Sequence, residues 1–257
     1  MIRLISGLAL AGVALAAILL LPPNLLRFAA LGVALLAARE YLAMARRLDL
    51  APSPLLTYAF VAVSCWTVSL PVAREDLLLL AGLALLLIDV LRRARALPSA
   101  AASLTAGLYV GVPLGLLVVV HELAGREAVL LLIATVVVSD SAQYYTGRML
   151  GRHPLAPAIS PKKTLEGAVG GLVFGTALMV VAGKIVLPFA NRTQLALTGV
   201  AVVVLGICGD LFESRLKRAA DMKDSSALIP GHGGVLDRID ALLFATPGFY
   251  FCLQALM

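Results

Sequence analysis

Between Ser214 and Asp240 the chain gathers four aspartates and five lysines or arginines in one connection between apolar stretches. If the stretch before it continues as a helix, Asp210, Glu213, Ser214 and Lys217 fall at i, i+3, i+4 and i+7 and share a face. Asp237 and Asp240, three apart, share a face in the same way if the next helix begins there. Two carboxylate-bearing helix ends on either side of a Gly-rich connection suit Mg²⁺, an ion that prefers oxygen ligands and keeps phosphate and water in its shell. Pro230-Gly231-His232-Gly233-Gly234 offers backbone N–H groups with little steric cover, as phosphate-cradling turns do. His232 by itself reads first as a structural hydrogen-bonding histidine. A basic loop resting on anionic headgroups would account for the lysines and arginines but not for the acids.

A second cluster runs from Ser139-Asp140 through Gly147-Arg148 to Ser160-Pro161-Lys162-Lys163-Thr164-Leu165-Glu166-Gly167. Asp140 follows Val136, Val137 and Val138, and an ionised aspartate deep in an apolar span costs about 2.5–3.5 kcal/mol on insertion scales unless it faces a cavity or a partner. Function is one reading; a pair with Arg148 or a neighbouring helix is the structural one. Lys162 and Lys163 stand just ahead of an expected helix, whose N-terminal partial charge favours phosphate. Gly167, Gly171 and Gly175 recur every four residues, a pattern of close helix packing or of a dimer contact.

These clusters need elements to hold them, and the composition says which. The 257 residues are 61% hydrophobic and 14% charged, with a mean hydropathy of +0.97, a balance that belongs in a bilayer. Uncharged or nearly uncharged runs at 4–21, 28–45, 54–72, 77–91, 100–120, 128–145, 165–187, 195–212 and 241–256 predict an all-α integral membrane protein, a polytopic bundle of about nine transmembrane helices. Pro22-Pro23 closes the first run without a small-residue cleavage site, so it is expected to stay as a span. Pro247-Gly248 leaves the last span open to being broken or re-entrant. Cys65, Cys208 and Cys252 lie in apolar runs without ligand spacing and read as small hydrophobes.

The loops also orient the chain. Arg3, Arg39, Arg46, Arg47, Arg92, Arg93, Arg95, Arg148, Arg152, Lys162, Lys163, Arg215, Lys217, Arg218, Lys223 and Arg238 fall in one set of connections, and only Arg27, Arg74, Arg126, Lys184 and Arg192 in the other. The positive-inside rule then places the N-terminus and both polar loops in the cytoplasm. The net charge of +6 is divided among short loops, which points to anionic lipid and nucleotide phosphates and away from nucleic acid. Residues 1–127 read as anchoring and packing helices and 128–257 as the part that carries the site, within one membrane domain.

The residues resemble the CDP-diacylglycerol synthase, or phosphatidate cytidylyltransferase, family. Its long signature runs Ser, any residue, a hydrophobic one, Lys-Arg, four residues, Lys-Asp, then Pro-x-His-Gly-Gly and Asp-Arg-x-Asp; 214–240 fits each fixed position. The upstream cluster is similar too, with Leu165 where an aromatic is common and Lys162 where Asn is frequent. The resemblance implies transfer of the cytidylyl group of CTP to phosphatidic acid, giving CDP-diacylglycerol and pyrophosphate, with Mg²⁺ and K⁺ as a second ion. It implies Asp210 and Asp237 as principal metal ligands, Asp224 and Asp240 as supporting carboxylates, and Lys217, Arg218, Lys223 and Arg238 as phosphate partners. Asp140, Arg148, Ser160, Lys162, Lys163, Thr164, Glu166, Ser214, His232, Gly233 and Gly234 are the expected substrate-binding set. A homodimer in a bacterial inner membrane, with its site facing the cytoplasm, completes the expectation.

Two rivals fit less well. An ion-coupled transporter would also place acids near mid-membrane, but it predicts inverted repeats, and the sequence contains no clear repeat. A CDP-alcohol phosphotransferase needs an Asp-Gly, two residues and Ala-Arg, a frame that Asp237-Arg238-Ile239-Asp240 lacks.

Overall fold

The computed structural model describes residues 2–70, 75–92 and 97–257. Arg74, Arg93 and Arg95, used above for orientation, lie outside the described residues, as do the side chains of Arg3 and Arg92. The described elements are α1 (Ile2–Leu20), α2 (Pro23–Arg47), α3 (Pro54–Val68), α4 (Glu75–Arg92), α5 (Leu97–Ala106), a π-turn (Gly107–Gly111), α6 (Val112–Leu150), the strands β1 (Pro154–Ala156) and β2 (Ser160–Thr164), α7 (Leu165–Val186), α8 (Arg192–Ala219) and α9 (Leu236–Leu256).

The all-α membrane class holds. The expected nine full spans do not appear as such: five helices among the described residues are long and apolar enough to cross a bilayer, and the apolar stretches Ser6–Leu20, Pro54–Val68 and Asp76–Ile88 are shorter. Fifteen residues at about 1.5 Å each fall short of a ~30 Å hydrocarbon core. The spans expected at 100–120 and 128–145 belong to one helical run, Leu97–Leu150, too long for a single crossing. It is broken at Gly125, whose φ of 81° and ψ of 172° leave the helical region, a conformation that glycine adopts without steric penalty.

The chain forms two compact units, one of residues 1–119 and 216–239, the other of 120–215 and 240–257. In the first, α3 packs on the π-turn and the start of α6. Small residues permit it: a Cβ at Gly111 would lie 2.7 Å from the Val61 carbonyl, and one at Gly115 would lie 2.6 Å from that of Cys65, so backbones touch where side chains would separate them.

In the second unit the glycine stripe of α7 turns against α6 of the same chain. A Cβ on Gly171 would run into Gln143, and one on Gly175 would sit 3.1 Å from Ser139 Cβ. The packing alternative for this stripe is therefore realised within the chain. Thr164 caps α7 by accepting the Gly167 N–H at 3.1 Å, as an N-cap hydroxyl does. The segment ahead of it, expected only as a loop, is a short antiparallel hairpin pairing Pro154 with Thr164 and Ala156 with Ser160.

α8 does continue beyond its apolar stretch, to Ala219. Its residue Gly209 comes against α9, where a Cβ would meet the Asp240 carbonyl at 2.5 Å. α9 is one helix through Pro247, so the last span is unbroken.

Candidate active site

The second unit brings Asp140 within electrostatic reach of Asp210, Asp240 and Lys163. Helix geometry accounts for it: Asp140 lies on α6, Asp210 and Asp240 flank the close approach at Gly209, and Lys163 is delivered by β2. Lys163 forms an ion pair with Asp210, and Ser214, one turn on, donates its hydroxyl to Asp210 at 3.3 Å. Asp140 accepts from the Gln143 amide at 3.0 Å, while Arg148 donates to the Tyr144 hydroxyl at 3.3 Å. The pair of Asp140 with Arg148 weighed from the sequence is not formed. The three carboxylates are a donor set of the hard oxygen kind that a divalent cation takes.

Glu166, in the first turn of α7, accepts the backbone N–H groups of Arg152 at 3.0 Å and His153 at 3.3 Å and pairs with His153 Nδ1 at 2.6 Å. It thereby closes the hairpin onto the helix. Thr164 acts as the cap described above, Ser160 opens β2, and Lys162 is exposed.

The first unit holds the rest of the signature. Asp237 begins α9 with its side chain only 4% exposed. Lys217 donates to its Oδ1 at 2.6 Å; its Oδ2 accepts the Gly234 N–H at 2.7 Å, the Ser225 N–H at 2.9 Å and lies 2.9 Å from Ser225 Oγ. Such a carboxylate is held by charge-assisted bonds in one orientation. The Gly234 N–H is thus given to Asp237 and does not stand open as a phosphate cradle. Gly233 has φ +80°, and a Cβ there would collide with Asp237 Oδ2. His232 is drawn into the N-terminal part of the chain: Ser6 Oγ lies 2.9 Å from His232 Nδ1 and donates to the Pro230 carbonyl at 3.0 Å.

The basic side chains of the two loops differ in availability. Lys163 and Lys217 are paired with aspartates. Lys162, Arg218, Lys223 and Arg238 are exposed, and no carboxylate partner is found for them among the described residues. Asp224 is also exposed, with its Cβ packed near Gly233. Among the described residues no three His, Cys, Asp or Glu side chains converge at liganding distance as they stand.

One residue of this constellation was missed from the sequence. Glu40 of α2 is 3% exposed, and its carboxylate accepts from Ser226 Oγ at 2.7 Å and Val235 N at 3.0 Å on Oε1, and from Ser225 Oγ and Leu236 N, both at 2.8 Å, on Oε2. Bonds to a charged group contribute roughly 1.5–3 kcal/mol each, so this acid is a principal anchor of the loop. The reasoning that singled out Asp140, an acid within an apolar span, applies equally to Glu40 inside 28–45.

A helical protein of the membrane whose polar loops gather aspartates, lysines and arginines in this way finds its class by comparison. The profile of the cytidylyltransferase family matches residues 1–256, and the chain belongs to that family. Among its relatives, a phosphatidate cytidylyltransferase of Haemophilus influenzae is 47% identical over 121 residues, 44% of this chain and 41% of the relative. The phosphatidate cytidylyltransferase of Bacillus subtilis is 38% identical over 153 residues, 58% and 56% of the two chains. An uncharacterized protein of Escherichia coli strain K12, YnbB, is 41% identical over 130 residues, 51% and 43%. The chain spans about half the length of the curated relatives it matches.

Proposed function

We propose that the chain transfers the cytidylyl group of CTP to phosphatidic acid, releasing pyrophosphate and leaving CDP-diacylglycerol in the membrane. The observation that carries this reading is the loop of 217–238: a carboxylate locked in place, Asp237, in the same connection as the exposed cations Arg218, Lys223 and Arg238. An oxygen of the lipid phosphomonoester bonds to the α-phosphorus of CTP, and the bond from that phosphorus to the bridging oxygen breaks as pyrophosphate leaves. Both reactants are anionic, so the protein's task is to neutralise, align and hold them. Arg218, Lys223 and Arg238 bind phosphate oxygens, with Lys162 as a further phosphate partner. The loop's candidate nucleophiles are held in structural bonds: His232 with Ser6, and Ser225 Oγ between Glu40 and Asp237. The lipid phosphate is itself a competent nucleophile, and the transfer is direct.

Mg²⁺ suits the donor set of Asp140, Asp210 and Asp240, where it would add positive charge beside the ammonium of Lys163. When bound, such an ion stabilises charge on transferring phosphoryl groups. Asp224 remains a supporting carboxylate, and K⁺ a second ion. The Arg- and Lys-rich connections face the cytoplasm of a bacterial inner membrane, where CTP is supplied, and the enzyme works as a homodimer.

The test is direct. Purified protein in detergent, given labelled CTP and phosphatidic acid with Mg²⁺, is expected to move label into a lipid-soluble cytidine nucleotide and to lose that activity with chelator. Label that stays water-soluble under all conditions refutes the assignment.

A further inference from the structure

We propose that Glu40 is a positioning residue for Asp237, acting through Ser225; this rests on the catalytic reading given above. Each oxygen of the Glu40 carboxylate takes one serine hydroxyl and one backbone N–H. A carboxylate has about four lone-pair sites, so the four contacts fill it, leaving no edge for a metal ion or a substrate. Its role is therefore exerted through its partners. Two of these, the N–H groups of Val235 and Leu236, stand at the start of α9, where helix geometry leaves donors without partners; Asp237 is the next residue.

A third partner carries the coupling. Ser225 Oγ lies 2.8 Å from Glu40 Oε2 and 2.9 Å from Asp237 Oδ2. The one hydroxyl proton is shared between the two acids in a bifurcated hydrogen bond, and the oxygen that stands between them fixes their separation. The turn between them leaves no slack: a Cβ on Gly234 would overlap Ser225 Oγ and both Glu40 oxygens. The glycine of the signature is thus required by a side chain that enters from α2, 185–196 residues away in the chain. Ser226 holds Glu40 on its other oxygen and has no bond to Asp237, which makes it the internal control.

Four variants test the inference: Glu40→Gln, Ser225→Ala, the double variant and Ser226→Ala. Gln keeps the shape but has one acceptor oxygen, so two of the four donors lose their acceptor. Per folded molecule, kcat is expected to fall about 10- to 100-fold in Glu40→Gln, the scale of a small misplacement at a reacting centre. Ser225→Ala is expected to lose activity in the same range, and the double variant no more than Glu40→Gln, because residues acting in series are not additive. Ser226→Ala is expected to lose much less. Hydrogen exchange at 233–237 should quicken in Glu40→Gln and in Ser225→Ala.

Normal kcat in folded Glu40→Gln, losses that multiply in the double variant, or unchanged exchange at 233–237 would each overturn the proposal. If Glu40→Gln does not fold, Ser225→Ala decides, since it keeps three of the Glu40 bonds and removes only the bridge. A wild type that makes no lipid-linked cytidine refutes the functional reading, and the exchange measurement still decides whether Glu40 holds Asp237.

Discussion

Two loops of this protein are each closed by a glutamate that captures backbone N–H groups, and they are built in opposite ways. Glu166 reaches Arg152 and His153 across 13 or 14 residues at an exposed surface. Glu40 reaches Ser225, Ser226, Val235 and Leu236 across 185 to 196 residues, in a buried position. A local clamp closes a short loop, assembles with its own hairpin and is bathed in water, which competes for every bond. A distant, buried clamp forms only when α2 is already in place, and the buried donors Ser225 and Leu236 are shielded from water if it is lost. The difference teaches that 1–127 does more than anchor: one of its side chains orders the signature loop.

The largest effect expected from this contrast lies at the acids themselves. Asp237→Asn keeps the shape of a side chain that four protein contacts hold, and removes its charge; Asp210→Asn does the same in the second unit. Turnover should fall at least about 10²-fold in each, the usual cost of losing preorganised charge at a reacting centre. Kinetics at saturating Mg²⁺ check this, and near-normal rates in both would remove these residues from the chemistry.

A middle effect is expected from Gly234→Ala. The new methyl has to displace Ser225 or Glu40, and overpacking of this kind costs typically about 1–3 kcal/mol. At about 2–4 °C per kcal/mol for a chain of this size, the melting temperature in detergent should drop by several degrees. An unchanged melting temperature would show that the distant clamp is looser than its geometry indicates.

The smallest effect should come from the local clamp. Glu166→Gln loses exposed, charge-assisted contacts whose typical worth is at most ~1 kcal/mol, so activity should stay within about fivefold of wild type. A loss as deep as that of the aspartate variants would erase the contrast and give Glu166 a direct part in substrate binding.

Much of this was legible without coordinates. Residue types and spacing alone marked the bilayer as the solvent and the helix that opens after Lys163; the face shared by Asp210 and Ser214 followed only on the condition that α8 runs on past its apolar stretch, which the structure meets. The same holds for the glycine stripe at 167, 171 and 175, a packing surface whose partner was left open. These are local properties: they follow from hydropathy, helical period and capping chemistry within a few residues of one another. The break at Gly125 and the hairpin at 154–164 are local as well, but their signals are weak, since one glycine in a helical run and a few strand residues have many readings.

What only the folded chain decided is which charges meet. Lys163 goes to Asp210 and Lys217 to Asp237, leaving Lys162, Arg218, Lys223 and Arg238 open, although composition gives neighbouring lysines equal claim. Glu40 and Ser225, and likewise Ser6 and His232, are brought together from opposite ends of the chain. No period or motif encodes such pairs, because a hydrogen bond depends on ångström-scale positions that helix packing alone sets. The amino-acid order specifies the charged groups and the elements that carry them; tertiary packing selects the partner of each charge, and with it the cations left exposed.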